Sequence, residues 1–384
     1  MSEKPHFFIE DSLLYAEEFF SELGQITRFK GRTVTSKDIS EADYLLTRST
    51  TKVNQALLKD CHKLKFVGTA TAGYNHIDSD YLASRNIPWS AAPGCNADAV
   101  ADYVISTGLN LANKYGFMLK DKVIGIIGVG QIGERLVRRF NALGCQVVQY
   151  DPVKASENTS FESADFEAVL ACDLITCHVP LVKAGAHPTQ HMFDYETLGK
   201  LKPDTILINA CRGEVIDNAE LLRFFENGHA LRVILDVFEN EPNIELGLLN
   251  YLEFGTPHIA GHSLEGKARG TEILYQMMCQ RLGVDAPIKL ESLLPSLAIE
   301  HMVLTDNYSL SQRQYRAIMN LIYDIRNDDL DFRMGLKQAP DSFDKLRKNY
   351  AIRREVTSLK VKCDNSLLPI FTDLGFNTSL KTES

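Results

Sequence analysis

The strongest constraint on the fold is a regular alternation of apolar strands and amphipathic helices that begins near residue 121. The apolar runs predict strands at 122–127, 146–150, 173–178, 205–210 and 231–237. The stretches between them predict helices at 134–143, at 161–171 with Ser163 as a possible N-cap, and from Asp217 to Gly228 with Glu220 completing a capping box. Apolar strands alternating with amphipathic helices indicate a parallel sheet that is covered on both faces.

The rest of the chain shows a weaker repeat and then a change of pattern. Residues 5–92 predict strands at 6–9, 26–29, 44–47, 65–69 and 87–90, and a long helix follows at 97–115. Residues 290–384 mix helix-like segments with one clear strand at 358–361. The expected fold is α/β, with two doubly wound parallel-sheet (Rossmann/flavodoxin-like) domains and a small C-terminal α+β domain. The expected boundaries are 1–96 with 259–288, then 97–258, then 289–384.

Charge and cysteine content limit the class of partner. The formal net charge is −9, with acidic and basic residues mixed along the chain, which argues against nucleic acid or an anionic membrane as the main partner. No apolar run is long enough to span a bilayer, and the N-terminus has no signal-peptide pattern. The eight cysteines include no Cys-x-x-Cys pair, so we expect reduced thiols, a cytoplasmic location and no metal site.

A glycine motif stands between the first strand and the first helix of the second domain. In Gly128-x-Gly130-x-x-Gly133, the first glycine permits the tight turn, the second a close approach of pyrophosphate, and the third close helix–strand packing. The next strand ends in Asp151, near the spacing at which an acid binds the ribose hydroxyls. The 2′-phosphate of NADP would be repelled by this carboxylate, because both groups are negatively charged. The pattern therefore favours NAD over NADP.

Four polar side chains follow later strands of the same predicted sheet. Arg212 follows strand 205–210, Asp236 and Glu241 end or follow the next strand, and His258 lies in the segment after 254–256. Ligands of open parallel sheets bind outside the carboxyl ends of the strands, so these side chains are expected to face one crevice. Taken singly, each has an ordinary structural explanation, such as a surface histidine or an arginine paired with Glu214 or Asp217.

Taken together, these side chains predict a dehydrogenase. Histidine has an unperturbed pKa near neutrality and is suited to accept a hydroxyl proton while hydride leaves carbon. Glu241 is the candidate to orient the His258 ring, and Arg212 is suited to hold a substrate carboxylate. The expected substrate is an α-hydroxy or α-keto carboxylate.

Several of these stretches resemble the D-isomer-specific 2-hydroxyacid dehydrogenases. The resemblance is carried by GVGQIG, INACRGEVIDNAEL, ILDVFENEP and TPHIAGHSLEGKARG. It implies catalytic roles for Arg212, Glu241 and His258. It also implies that the cofactor NAD is bound by the residues Gly128, Gly130, Gln131, Ile132, Gly133, Asp151, Val179, Asp236 and Gly261.

A more specific resemblance covers nearly the whole chain. The stretches TRSTTKVN, KFVGTATAGYNHID, SAAPGCNADAVADYV and FDKLRKNYAIRREV are similar to the branch of that family that oxidises 4-phospho-D-erythronate to 2-oxo-3-hydroxy-4-phosphobutanoate in vitamin B6 (pyridoxal 5′-phosphate) biosynthesis. This branch implies a phosphorylated hydroxy acid as substrate and a homodimer formed through the C-terminal domain. The substrate contacts implied are Arg48, Ser49, Thr71 and His262, and which anion each of them holds is left open.

Some points remain open at this stage. His262 stands where this branch usually has tyrosine, and Val179 where threonine is common. A second basic set, Arg347, Lys348, Arg353 and Arg354, fits either a partner's phosphate site or a solvated charged helix. The alternative functions are another D-2-hydroxyacid dehydrogenase such as D-3-phosphoglycerate dehydrogenase, an NADH-sensing co-repressor-like binding protein, or a flavoprotein. The complete Arg, Glu and His set disfavours the flavoprotein.

Overall fold

The computed structural model describes residues 4–305 and 310–381. The strands are β1 His6–Glu10, β2 Gln25–Phe29, β3 Tyr44–Thr47, β4 Phe66–Thr69, β5 Trp89–Ser90, β6 Val123–Ile127, β7 Gln146–Tyr150, β8 Leu174–Cys177, β9 Ile206–Asn209, β10 Arg232–Leu235, β11 Phe254–Gly255, β12 His301–Val303, β13 Lys360–Cys363 and β14 Asn377–Leu380. The α-helices are α1 Ala16–Phe20, α2 Gln55–Leu58, α3 Ser79–Ser84, α4 Ala97–Tyr115, α5 Gln131–Ala142, α6 Pro152–Glu157, α7 Phe166–Leu170, α8 Tyr195–Gly199, α9 Asn218–Glu226, α10 Leu264–Leu282, α11 Gln312–Ile322, α12 Ile325–Gln338, α13 Phe343–Lys348 and α14 Leu368–Asp373.

The chain divides into two compact units. Unit 1 comprises Met1–Asn96 with His262–Ser296, and unit 2 comprises Ala97–Gly261 with Leu297–Ser384. Unit 1 contains a five-stranded parallel sheet in the order β2-β1-β3-β4-β5. One of its hydrophobic clusters joins β1, β3 and β4 to the first and tenth helices. Gly68 is needed in β4 because a Cβ there would lie 2.9 Å from a Leu46 methyl and 3.0 Å from a Leu274 methyl.

Unit 2 contains a six-stranded parallel sheet in the order β11-β10-β9-β8-β6-β7. Its two faces are covered by separate hydrophobic clusters, as expected for a doubly wound sheet. The strand order reverses between β6 and β8, and such a switch point is where open parallel sheets bind ligands. The expected α/β class with two parallel, doubly wound sheets is confirmed.

The C-terminal segment adds a three-stranded parallel sheet in the order β12-β13-β14. Helix α11 packs on α4 and α14 packs on α5, so side chains such as Ile318 and Phe371 share a hydrophobic cluster with Val104 and Leu136. The sequence predicted one strand here, at 358–361; the described part of this segment has three, and β13 begins two residues later than predicted. Strands β12 and β14 carry mostly exposed or half-buried residues, so they lack the apolar pattern that reveals a central strand.

Two predicted helices were wrong in their bounds, since the helix predicted at 134–143 begins three residues earlier, at Gln131. The segment predicted as a helix at 161–171 is helical only in α7, and its N-cap is Asp165 rather than Ser163. The Ser163 hydroxyl instead accepts a hydrogen bond from the Asp151 amide at 3.0 Å. The sequence also missed α6, which begins with Pro152 at its first turn and is capped by the Asp151 side chain. Among the residues described, no helix is long and apolar enough to cross a membrane.

Candidate active site

A cavity of about 650 Å³ lies at the switch point of the unit 2 sheet. The turn after β6 lines one side, and the segment from His178 to Met192 that follows β8 lines another. Of the predicted cofactor residues, five line this cavity: Gly128, Gly130, Gln131, Asp151 and Val179. Ile132, Gly133, Asp236 and Gly261 lie outside its wall. The cavity is therefore built on the glycine motif that the sequence singled out.

The three glycines of the motif differ in what a side chain would meet. Gly128 has φ +87°, and a Cβ there would lie 2.6 Å from the His178 carbonyl oxygen. A Cβ at Gly133 would lie 2.2 Å from the carbonyl oxygen of Gly128, so this glycine allows α5 to approach the turn. A Cβ at Gly130 would meet nothing within 4 Å. The open side of Gly130, at the start of α5, fits the approach of a pyrophosphate to free backbone N–H groups.

Asp151 directly follows β7 and faces the same cavity. Its Oδ2 accepts a hydrogen bond from the Val129 amide at 2.8 Å, and its Oδ1 accepts one from the Lys154 amide at 2.9 Å. The carboxylate thus joins the glycine turn to α6, and its remaining lone pairs can accept from ribose hydroxyls. Lys154 also lines the cavity, but its ammonium is paired with Glu134 at 2.6 Å.

The structure brings His258 and Glu241 together. The His258 Nδ1 and the Glu241 Oε2 are 2.8 Å apart, and the side chains are 30% and 19% exposed respectively. The second carboxylate oxygen, Oε1, accepts from the Phe238 amide at 2.9 Å, which fixes the rotamer of Glu241. With Nδ1 donating to the carboxylate, the Nε2 of His258 is the nitrogen left to accept a proton. No hydrogen bond joins this Nε2 to any residue in 4–305 or 310–381.

Asp236 holds the loop that carries His258. Its Oδ1 accepts from the Thr256 hydroxyl and from the Ile259 amide, each at 2.7 Å, and its Oδ2 accepts from the Ala260 amide at 3.0 Å. Burial raises the pKa of Asp236, and the charge of His258 and these hydrogen bonds oppose that shift. His258 itself has φ 58°, a left-handed conformation that the surrounding hydrogen bonds sustain. The predicted role of Asp236 in binding NAD stays a prediction.

Arg212, Glu241 and His258 follow three neighbouring strands of the sheet, β9, β10 and β11 respectively. Asn209, Leu235 and Gly255 occupy one row across β9, β10 and β11, and Arg212 and His258 each follow that row by three residues. A Cβ on Gly213 would lie 2.0 Å from the Phe238 carbonyl oxygen, so the Arg212 turn abuts the turn that carries Glu241. The guanidinium donates to the carbonyl oxygen of Cys211 at 2.7 Å. No salt bridge to Arg212 occurs within the described ranges, so its other N–H groups can bind an anion.

The predicted substrate residues belong to unit 1. Arg48 and Ser49 directly follow β3, and Thr71 lies in the turn after the neighbouring β4, so these three share the carboxyl edge of one sheet. The Thr71 hydroxyl donates to the Gly73 carbonyl oxygen at 2.8 Å and is 2.8 Å from the Thr69 hydroxyl. His262 is half-buried and precedes Ser263, the N-cap of α10. Their contacts with substrate stay predictions.

His191, which joins three parts of unit 2, is not predicted by any sequence motif. Its Nε2 is 2.7 Å from the Glu239 Oε1, and its Nδ1 is 3.3 Å from the Asp217 Oδ2. Burial lowers the pKa of His191, but the hydrogen bond and charge of Glu239 and the charge of Asp217 raise it more, so the net shift is upward. These three side chains form a cluster of the kind that can hold a metal ion, and their mutual pairing accounts for the arrangement without one. Through these contacts, His191 links the cavity-lining segment that ends at Met192 to Asp217, which follows the Arg212 turn, and to Glu239, which precedes Glu241.

Arg353 has a position that neither sequence interpretation anticipated. It is 6% exposed, so it does not belong to a solvated charged helix, and it reaches into its own chain. The guanidinium donates to the carbonyl oxygen of Ala260 at 3.1 Å and to that of Ala99 at 2.5 Å. It also stacks on Tyr323 at 3.4 Å from the ring centroid. Because the Ala260 amide binds Asp236, the C-terminal segment supports the loop of His258 from behind.

Comparison with known proteins agrees with this geometry. Residues 100–260 match the family described as D-isomer specific 2-hydroxyacid dehydrogenase, NAD binding domain, and residues 293–375 match a domain of unknown function (DUF3410). The erythronate-4-phosphate dehydrogenase of Pseudoalteromonas atlantica is 46% identical over 96% of this chain and 99% of that protein. The enzyme of the same name from Yersinia pestis is 45% identical over 97% of this chain and 99% of that protein.

The chain belongs to the erythronate-4-phosphate dehydrogenase family. This placement confirms the resemblance carried by the motifs, and the match over residues 100–260 confirms that NAD is the cofactor of this family's nucleotide domain.

Solved structures share the fold. A D-isomer specific 2-hydroxyacid dehydrogenase from Lactobacillus delbrueckii ssp. bulgaricus, complexed with NAD, superposes with a TM-score of 0.63 at 20% identity, covering 73% of this chain and 98% of that chain. The NAD+-bound 3-phosphoglycerate dehydrogenase of Entamoeba histolytica gives 0.60 at 23% identity, covering 74% of this chain and 98% of that chain.

Proposed function

We propose that this protein oxidises the C2 hydroxyl of 4-phospho-D-erythronate to give 2-oxo-3-hydroxy-4-phosphobutanoate, a step of pyridoxal 5′-phosphate biosynthesis. The observation that carries the proposal is the His258–Glu241 pair, which lies beside an anion-accepting Arg212 in an NAD-binding fold. Identity of 44–46% to erythronate-4-phosphate dehydrogenases over nearly the full chain supports the choice of substrate.

Each of the three side chains has a distinct role in this reaction. His258 accepts the hydroxyl proton at Nε2 as the C2 hydrogen departs with its electron pair. Glu241 keeps the Nδ1 proton in place and stabilises the imidazolium that forms. Arg212 holds the substrate carboxylate and stabilises the developing carbonyl, because its planar guanidinium donates in a fork and stays charged.

NAD, when bound, supplies the acceptor for the hydride. The glycine turn and the first turn of α5 are suited to hold its pyrophosphate, since the space next to Gly130 is open and the helix begins there. Asp151 is suited to accept hydrogen bonds from the adenosine ribose. Val179 lines the cavity and contributes an apolar surface where the resemblance had led us to expect threonine.

We further propose that Arg48, Ser49, Thr71 and His262 bind the substrate and that the chain forms a homodimer through residues 289–384. Support for the dimer comes from exposed apolar side chains in this segment, which include Leu330 and Met334 on one face of α12 and Ile352, 80% exposed. Clusters of exposed apolar groups mark interaction sites. A cytoplasmic location is supported by the eight cysteines, which are all buried and form no disulfide within the described residues.

The function is tested by adding 4-phospho-D-erythronate to the purified protein with NAD and following nicotinamide absorbance. The proposal predicts formation of NADH, and Asp151→Ala should weaken NAD binding without removing the protein's fold. Activity on 3-phosphoglycerate with none on 4-phospho-D-erythronate would instead assign the chain to a sister dehydrogenase. Capture of NADH with no turnover of either substrate would favour the NADH-sensing binding protein.

A further inference from the structure

In unit 1, at the carboxyl edge of its sheet, the Arg48 side chain reaches the backbone of a second cationic residue, Lys267. Arg48 directly follows β3, and Lys267 lies in the first turns of α10. The Nη1 of Arg48 donates to the Lys267 carbonyl oxygen at 3.3 Å. The same helix touches the residue after β4, since a Cβ on Gly270 would lie 2.3 Å from the Ala70 carbonyl oxygen. The pair therefore occupies the edge at which parallel sheets bind ligands.

Among the described residues, no carboxylate forms a salt bridge with either cation. The salt bridges found within residues 4–305 and 310–381 include neither Arg48 nor Lys267. Burial lowers the pKa of Lys267, and the positive charge of Arg48 lowers it further. Burial also lowers the pKa of Arg48, which the negative charges of Cys95 and Glu10 partly offset. Two partly buried like charges are costly to hold together unless an anion joins them.

Glu10, whose negative charge acts on Arg48, is already bound by other groups. Its Oε1 accepts from the Ser12 and Thr50 hydroxyls, and its Oε2 accepts from the Thr51 hydroxyl at 2.6 Å and from the Arg48 amide at 2.8 Å. Four hydrogen bonds to one buried carboxylate fix the loop that follows β3. Glu10 thus holds the backbone of Arg48 in place without forming a salt bridge to its guanidinium.

We propose that Arg48 and Lys267 together bind the phosphate group of the substrate. The inference rests on the proposed function, in which Arg212 takes the carboxylate, and it assigns the second anion of the same molecule. A phosphate monoester carries nearly two negative charges at neutral pH, which two cations match. Lys267 lies within the motif TPHIAGHSLEGKARG, but the resemblance implies no role for it. In this proposal Lys267 makes the protein selective for phosphorylated hydroxy acids over their unphosphorylated analogues.

The first test measures binding of inorganic phosphate to the full-length protein by titration calorimetry. Lys267→Gln should weaken phosphate binding by about 10- to 100-fold, the range expected for loss of a hydrogen bond between charged groups. Lys267→Arg should keep most of the affinity because it keeps the charge. Lys289→Gln, at an exposed lysine of the same unit, should bind phosphate as the wild type does.

The second test measures selectivity by steady-state kinetics. The ratio of kcat/KM for 4-phospho-D-erythronate to that for D-erythronate should fall about tenfold or more in Lys267→Gln, through KM rather than kcat. The proposal is overturned if Lys267→Gln and Lys289→Gln are alike in phosphate binding and in this ratio. An equal loss with both substrates would also overturn it, because the pair would then bind the carboxylate.

The experiments distinguish a failure of the proposed phosphate site from a failure of the proposed function. Phosphate binding that depends on Lys267, with no oxidation of 4-phospho-D-erythronate by the wild type, would support the anion site and refute the proposed function. Oxidation by the wild type with no effect of Lys267→Gln would refute the anion site alone.

Discussion

Replacing Glu241 by glutamine tests the orientation of His258 with almost no change of shape. The glutamate accepts from the Phe238 amide with one oxygen and from the His258 Nδ1 with the other. Glutamine has only one acceptor oxygen. If that oxygen stays on Phe238, its NH2 group faces Nδ1 and forces the ring proton onto Nε2, the atom that must accept the hydroxyl proton. If the oxygen turns to His258, the Phe238 amide loses its partner.

The size of the effect follows from the bond that is lost. A hydrogen bond to a charged group contributes about 1.5–3 kcal/mol and a neutral one about 1 kcal/mol, so the loss is about 1–2 kcal/mol. Since 1.36 kcal/mol is tenfold in rate, kcat should fall by roughly 5- to 30-fold. Water reaches both side chains, which are 30% and 19% exposed, so we expect a value near the middle, about tenfold.

The assay is steady-state NADH formation with saturating 4-phospho-D-erythronate, together with an NAD binding titration. Glu241 is not among the residues lining the cavity, so the Kd for NAD should be that of the wild type. Glu226→Gln, at an exposed position in α9, serves as the matched control. A kcat for Glu241→Gln within twofold of the wild type, at equal NAD affinity, would refute the orienting role of Glu241.

Three further variants probe other parts of the structure. His191→Gln should raise KM for NAD. In urea unfolding, this variant should be less stable than the wild type by an amount that is largest near pH 6 and smaller towards pH 9. The reason is that a histidine with a raised pKa stabilises the folded state only while its ring is protonated. Arg353→Met should lower the free energy of unfolding, measured by denaturation, by about 3 kcal/mol, because the Ala260 carbonyl loses its hydrogen-bond donor. In kinetics, the same variant should lower kcat more than it lowers NAD affinity. Leu330→Glu combined with Ile352→Glu should yield a monomer in light scattering, and an unchanged mass would contradict the proposed interface.

A pH effect is expected from a group in the cavity wall. Burial lowers the pKa of His178 to about 3. A histidine whose pKa is depressed in the folded state stabilises it above the unfolded pKa, so stability should fall by up to about 1.4 kcal/mol per pH unit below roughly pH 6.5. Urea unfolding of the wild type and of His178→Asn at pH 7 and pH 5.5 checks this. An equal loss in both proteins would assign the acid sensitivity to other groups.

Much of the fold was readable because its core strands are apolar and its helices periodic. Strands Tyr44–Thr47 and Gln146–Tyr150 and helix Ala97–Tyr115 have the bounds that the sequence predicts. Helix α6 was missed although Asp151 and Pro152 form a capping signal, because one aspartate can serve both as a helix cap and as a ribose ligand.

The site residues that directly follow strands were predictable from the sequence. Those that pair with residues far away in the sequence were not. Arg212 and His258 were placed correctly at strand ends, and Glu241 was correctly paired with His258. His191 and Glu239 are 48 residues apart, and no local pattern links them. Arg353 lies in a run of basic residues that all look alike in sequence, and only burial separates it from Arg347 and Lys348.

The most direct measurement is the crystal structure of His258→Asn with NAD and 4-phospho-D-erythronate bound, since this variant should retain both ligands without turning them over. The account predicts the substrate carboxylate on the Arg212 guanidinium, and the C2 hydroxyl within about 3.2 Å of the side chain at position 258. A C2 hydroxyl turned away from position 258, with another side chain in hydrogen-bonding contact with it, would contradict the account.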